Sequence, residues 1–198
     1  MLESAAVGRS TRTLDPSEMH ALVQTSANQR LPQRLIKVDH AGEHGAVCIY
    51  RAQAWVCRLT APDLVPMLNA FRRHEEGHRA LFARYLAEHK VQRCRSYHLC
   101  GIGGFTLGII TGAFGRSAVA ATTVAVERVV LRHLNTQLHQ LATLDAGAHA
   151  AVAAIVLEET EHHDTANLDL RQGKFWPRLI MPVVSGAAEA VIWLGLKL

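Results

Sequence analysis

Aromatic residues are scarce in this chain: Phe, Trp and Tyr make up only 6% of its 198 residues. Strands draw on aromatic and β-branched side chains, so this shortage, beside recurrent alanine and leucine, favours helices over a β-rich fold. None of the four cysteines, Cys48, Cys57, Cys94 and Cys100, forms a CxxC pair. A zinc site is therefore disfavoured and a reducing compartment is the simpler reading. No GxGxxG stretch marks a dinucleotide fold. No recognition motif accompanies the basic residues, which argues against nucleic-acid binding. The N-terminal stretch places Glu3, Asp15 and Glu18 among Arg9, Arg12 and Arg30, too much acid for a good transit peptide. Residues 1–30 read as a poorly ordered arm and 31–198 as one domain.

The charge that is present is uneven. The chain carries a formal net charge of +4. Between Arg51 and Arg95 nine Arg and Lys face four acids, a surplus of five, so the rest of the chain is slightly acidic. A basic face of this kind suits a solvated helix, an anionic membrane or a nucleotide phosphate.

Four amphipathic stretches recur at helical spacing. The first follows Pro32 and ends near Thr60-Ala61-Pro62, with Ile36, Glu43, Tyr50, Ala54 and Cys57 on one face. The second, about 63–88, aligns Leu68, Phe71, Glu75, His78, Phe82 and Leu86. The third begins near Ser117, a suitable N-cap, and aligns Ala120, Val124, Glu127, Leu131, Leu134, Leu138 and Leu141. The fourth, from Ala146 to Arg171 with Gly173 as its stop, aligns Val152, Ile155, Glu159, His162, Ala166 and Leu170. Two further segments are almost purely apolar. Leu99–Gly115 has no charge, with Gly104, Gly108 and Gly112 recurring at every fourth position; Leu179–Leu196 carries only Glu189. Each is short or interrupted for a membrane span, which needs about 20 apolar residues, and suits a buried or interfacial helix better.

Carboxylates in the middle of apolar stripes need a reason, because unpaired buried charge is costly. Glu75-x-x-His78 and Glu159-x-x-His162 share one spacing, and residues three apart lie on one helix face. Glu43 precedes the first pair, and Glu127 the second, at one and the same interval (43 to 75, 127 to 159). Gln53 and Gln137 each follow a lone glutamate by ten. The chain thus reads as one helix pair repeated, with position 43 recurring at position 127. A single Glu-x-x-His is a weak signal; two at matched distance from lone glutamates are strong. Four carboxylates and two imidazoles form the ligand set of ferritin-like dimetal bundles. They match the charge of two divalent ions in an N/O environment suited to iron or manganese. The expected fold is all-α: a ferritin-like four-helix bundle with additional apolar helices at a membrane-facing end. Glu76, Glu158 and Glu161 flank the ligands and are expected in solvent or behind them, and His163 is expected behind them and not as a ligand. His40, His44, His74 and His133 are expected in surface or core packing.

The blocks VDHAGEHGA (Val38–Ala46), TVAVE (Thr123–Glu127), EETEHHD (Glu158–Asp164) and GFTLG (Gly104–Gly108) resemble the demethoxyubiquinone hydroxylases, from about Arg34 to the C-terminus. The resemblance implies a membrane-associated di-iron monooxygenase of ubiquinone biosynthesis. Such an enzyme uses two ferrous ions and dioxygen to hydroxylate the ring of a polyprenyl methoxy-benzoquinol. It implies Glu43 and His78 as terminal ligands of one iron, Glu127 and His162 of the other, and Glu75 and Glu159 as bridges. NADH is the reductant it suggests. It leaves a homo-oligomer or a complex of ubiquinone-biosynthesis proteins open. The expected location is the cytoplasmic face of a bacterial inner membrane, or the matrix side of the mitochondrial one. The chain departs from the family at Arg93-Cys94, where Arg-Pro is common, and at His133-Leu134, where a histidine–tyrosine pair is usual. An iron-storage protein and a non-catalytic quinone-binding subunit are the competing readings; lipid-suited apolar segments disfavour the first, the intact ligand set the second.

Overall fold

A computed structural model describes residues 15–170 and 175–198. Among them there are six α-helices, one 3-10 turn and no strand: α1 Pro16–Thr60, α2 Val65–Glu88, α3 Tyr97–Ala113, α4 Arg116–Leu141, α5 Ala146–Leu170 and α6 Phe175–Lys197. Helices α1, α2, α4 and α5 form the bundle. The all-α, ferritin-like architecture expected from the stripes is the one observed.

The stripes bury as their spacing requires. Ile36, Phe82, Leu134, Leu141, Val152 and Ile155 join one core at one end of the bundle, and Tyr50, Cys57, Leu68 and Phe71 join another. Several helix ends differ from the expected ones. Pro32 does not open α1 but lies inside it. Proline removes one backbone hydrogen bond and crowds the preceding turn; directly beyond it Leu35 and Ile36 are locked into the core. Of the expected arm, residues 1–14 lie outside the described residues, and 16–30 are the first part of α1. Ser117 does not cap α4. Gly115 does, at φ 77, a backbone conformation open to glycine and strained for other residues. Its carbonyl accepts from the amides of Ala118 and Val119 at 3.1 Å. Gly173 lies outside the described residues.

The repeat extends beyond the helix pair. In the first half α3 runs alongside α1 in the same direction: Gly104 sits on the carbonyl of Gly45, Gly108 on that of Ile49, and Thr60 Oγ1 donates to Gly112 O at 2.7 Å. In the second half α6 runs alongside α4: Ile180 and Val184 pack on Ala118, Ala121 and Ala125, and Ser185 Oγ donates to Ala125 O at 3.3 Å. The two pairings are offset almost alike along the chain, position 45 with 104 and position 125 with 185. Each half is therefore three helices, the third apolar. Outward from α3 stand Leu99, Ile102 and Ile110; outward from α6 stand Phe175, Leu179, Val183 and Trp193. Helix α6 is long and apolar enough to cross a membrane, with only 17% of its most apolar window buried.

Candidate metal centre

All six expected ligands converge at the middle of the bundle. Glu43 comes from α1, Glu75 and His78 from α2, Glu127 from α4, and Glu159 and His162 from α5; each is buried. Two groups form, Glu43–Glu75–His78–Glu159 and Glu75–Glu127–Glu159–His162, with potential ligand atoms within 4.8 Å of one another in each.

The two shared carboxylates divide their oxygens between the histidines. Glu75 presents Oε2 to His78 Nδ1 at 3.5 Å and Oε1 to His162 Nδ1 at 3.1 Å. Glu159 presents Oε1 to His78 Nδ1 at 2.9 Å and Oε2 to His162 Nδ1 at 3.8 Å. Glu43 Oε2 lies 3.9 Å from His78 Nδ1. These approaches lack hydrogen-bond alignment: Glu75 Oε1, Glu159 Oε1 and both Nδ1 atoms are buried without a hydrogen-bond partner. Buried polar atoms are rarely left so, and here they point into one shared space, as metal donors would.

Electrostatics agree with that fit. Burial raises the Glu43 carboxyl well above its ordinary range, reinforced by Glu75 and Glu159. Burial also raises Glu127, reinforced by the same two carboxylates. Burial alone would lower the histidines, but contacts with Glu159 and Glu75 outweigh it and lift His78 to about 10 and His162 to about 9. Raised values at all four groups mark a buried site that favours added positive charge, which divalent cations would supply in exchange for protons.

Behind the donors lies a second ring of contacts. Each histidine turns Nδ1 inward and Nε2 outward. His78 Nε2 meets Glu158 Oε2 at 2.8 Å, and His162 Nε2 meets His74 Nδ1 at 3.0 Å. Such contacts fix ring orientation and tautomer. Glu158 is therefore a support for a candidate ligand, one of the two roles expected for it. His74, expected in plain packing, is a support as well. His163, expected behind the ligands, instead pairs with Asp164 Oδ1 at 3.0 Å; one residue past His162, it is turned about 100° away. His40 and His44 stack on Tyr97, as packing residues. Tyr50, on the predicted inner face, donates to Glu127 Oε1 at 2.6 Å. The two repeated glutamines tie helices together: Gln53 donates to Thr111 Oγ1 and Gln137 to Asp39 Oδ1, both at 2.9 Å.

A cavity of about 310 Å³ opens onto the centre. Glu43, Glu75, Glu127 and Glu159 form its floor, and apolar side chains of α3 and α6, among them Leu99, Leu107, Val183 and Val191, form its walls. Two other polar groups reach it, Asp39 and His133. Burial pushes Asp39 up to about 7 against its Gln137 hydrogen bond, and its Oδ2 is buried without a partner. His133 Nε2 pairs with Glu189 Oε2 at 3.0 Å. Sequence reasoning misses Asp39, although it too interrupts an apolar stretch of α1.

The chain is similar in sequence to known proteins. The family model described as Ubiquinone biosynthesis protein COQ7 matches residues 30–195. The chain is 31% identical over 200 residues to the 3-demethoxyubiquinol 3-hydroxylase of Rhodospirillum rubrum, spanning 94% of this chain and 93% of that protein. It is 32% identical over 174 residues to the mitochondrial NADPH-dependent 3-demethoxyubiquinone 3-hydroxylase of Mus musculus, spanning 85% and 78%. It is 33% identical over 142 residues to the 3-demethoxyubiquinol 3-hydroxylase of a Janthinobacterium species, spanning 72% and 67%.

Proposed function

Because the chain belongs to the family of the ubiquinone biosynthesis protein COQ7, we propose that it hydroxylates the ring of a polyprenyl methoxy-benzoquinol at a pair of iron ions. A ring C–H becomes C–OH. Dioxygen gives one oxygen atom to the ring and the other to water, with two protons and with two electrons from a nicotinamide nucleotide, the class named for the mouse relative.

The observation that carries the reading is the division of Glu75 and Glu159 between His78 and His162. Glu43 and His78 would hold one ion, Glu127 and His162 the other, and Glu75 and Glu159 both. The bound pair would supply the redox chemistry that activates dioxygen. The chain's residues do the rest. Leu99, Leu107, Val183 and Val191 exclude water and hold the ring over the four carboxylates. Asp39 Oδ2 accepts a hydrogen bond from a ring hydroxyl, which satisfies an otherwise unpaired oxygen. The isoprenoid tail leaves between α3 and α6, whose outward side chains rest on a bilayer. Helix α6 lies at the interface and does not cross, since Glu189 is bound to Arg132 and His133 of α4 and crossing would strip that pairing. The cytoplasmic face of a bacterial membrane, or the matrix face of the mitochondrial inner membrane, suits this docking. An iron store would need no apolar cavity of this kind.

The test is reconstitution with ferrous iron, followed by elemental analysis and turnover of demethoxyubiquinol. About two irons per chain are expected, with turnover abolished in Glu159→Ala while helix content stays. One metal per chain, or wild-type turnover in that variant, would overturn the assignment.

A further inference from the structure

A second pocket, of about 380 Å³, lies between α1, α2 and α3. Arg51, Trp55 and Arg58 line it from α1, Asn69 and Arg72 from α2, and Phe105 from α3. Phe105 points away from the substrate cavity, because Gly103 and Leu107, two residues to either side, line that cavity and residues two apart on a helix face nearly opposite ways. The pocket therefore flanks α3 on the side remote from the metal centre.

Its charge is unbalanced. Two of its three guanidiniums share one carboxylate: Glu76 Oε1 accepts from Arg72 Nη1 at 2.7 Å and lies 3.9 Å from Arg51 Nη2. Arg58 has no carboxylate partner among the described residues. Large apolar side chains stand beside these charges in solvent: Trp55 is 61% exposed, Leu59 90% and Phe105 44%. A soluble surface rarely gathers large apolar side chains into one patch. A bilayer interface favours them, because indole rings and guanidinium groups both settle at headgroup depth. The apolar outer face of α3, with Ile102 and Ile110, runs directly past the pocket.

We propose that this pocket receives the phosphate of an anionic phospholipid, with Trp55, Leu59 and Phe105 resting at the boundary between headgroups and acyl chains. The inference rests on the membrane docking proposed above and adds selectivity for lipid charge. Apolar docking of α3 and α6 needs no anionic lipid; the arginine pocket does.

The experiment is vesicle co-sedimentation of the iron-loaded protein, with phosphatidylcholine alone and with roughly a third phosphatidylglycerol. Wild type should bind the anionic vesicles more tightly. Arg51→Gln/Arg58→Gln should lose about 25-fold on them, roughly fivefold per guanidinium, and keep its affinity for neutral vesicles and its turnover of a short-tailed quinol in detergent. The control Arg73→Gln/Arg84→Gln removes equal charge from the exposed face of α2 and should lose far less. Equal losses in both variants would mean diffuse attraction and overturn the proposal. So would saturable binding of NADPH or glycerol phosphate, without vesicles, that depends on Arg51 and Arg58; the pocket would then serve a soluble phosphate. Loss of neutral binding alone, with arginine-dependent anionic binding intact, would overturn the apolar docking and leave the lipid site standing. No binding to either vesicle would overturn both.

Discussion

The Tyr50 hydroxyl donates to Glu127 Oε1 at 2.6 Å, so a residue of the first half supports a candidate ligand of the second. The repeat that carries Glu43 onto Glu127 carries Tyr50 onto Leu134, buried and unable to donate. Glu43 therefore has no phenol behind it. The two candidate metal positions are unequal although the helices that build them repeat.

Replacing Tyr50 with Phe keeps the ring, which packs edge-on to Phe71 at 5.6 Å, and removes the donor. Metal affinity should fall about tenfold or more, the usual effect of losing a support behind a ligand, with thermal stability of the metal-free protein little changed. Chelator competition on the loaded protein measures the first and calorimetry the second. Unchanged affinity would show that the phenol does not hold Glu127.

The glycines of α3 divide into two kinds. A Cβ at Gly104 or Gly108 would run into the backbone carbonyl of Gly45 or Ile49, whereas one at Gly103 meets nothing within 4 Å. Gly104→Ala and Gly108→Ala should each cost about 1–3 kcal/mol, the range for overpacking. Gly103→Ala should stabilise by up to about 1 kcal/mol through helix propensity. Urea unfolding gives all three values. Equal effects at the three sites would contradict the close approach of α3 to α1.

Asp145 caps α5 while anchoring α2: its Oδ1 accepts from the amide of Ala148 at 2.9 Å and its Oδ2 from the Tyr85 hydroxyl at 2.7 Å. Burial would raise this carboxyl, but these donors outweigh it and hold it below its usual value of 3.8. A carboxyl depressed in the folded state contributes stability above its unfolded pKa and loses it as pH falls through the folded one. Asp145→Ala should therefore cost about 1 kcal/mol near neutrality, and the gap to wild type should close in acid. Urea titrations at a series of pH values test this. A gap that widens towards acid would have the wrong sign.

Leu179 and Val183 of α6 are 54% and 67% exposed, and Val183 also lines the cavity. Leu179→Asp should weaken binding to neutral vesicles and raise KM for a long-tailed quinol more than for a short-tailed analogue. A charge at the centre of a membrane-inserted helix costs about 2.5–3.5 kcal/mol, and an interfacial site less, so a tenfold effect on vesicle binding is a reasonable floor. Vesicle binding and tail dependence that both stay unchanged would overturn the proposed docking of α6 on the bilayer.

Much of this centre is legible in the sequence, for a physical reason. Helical spacing is regular enough that Glu75 with His78, and Glu159 with His162, must share faces, and buried carboxylates are rare enough to be noticed. The contacts behind the donors are not legible. Glu158 sits one residue before Glu159 and reaches His78 only because α2 and α5 cross at that level, and His74 reaches His162 for the same reason. His163 defeats the sequence reading because adjacency along a helix is not adjacency in space. The start of α1 defeats it because a proline usually opens a helix, whereas here core packing just beyond it carries the helix through. The pairing of α3 with α1 and of α6 with α4 lies outside a two-helix repeat and needs the backbone contacts at Gly45 and the Ser185 hydrogen bond.

The two walls of the cavity differ in stiffness. Helix α3 rests on α1 backbone to backbone, at Gly104 and Gly108, and peptide groups have no rotamers with which to give way. Helix α6 rests on α4 through Ile180 and Val184 seated on alanines, contacts that can slide by small rotamer changes. Any widening to admit a bulky ring must then be taken up on one side, so the aperture has a fixed jamb and a yielding one. The fixed side carries Glu43, so a ring entering as proposed would be guided along the same rigid body that carries this candidate ligand.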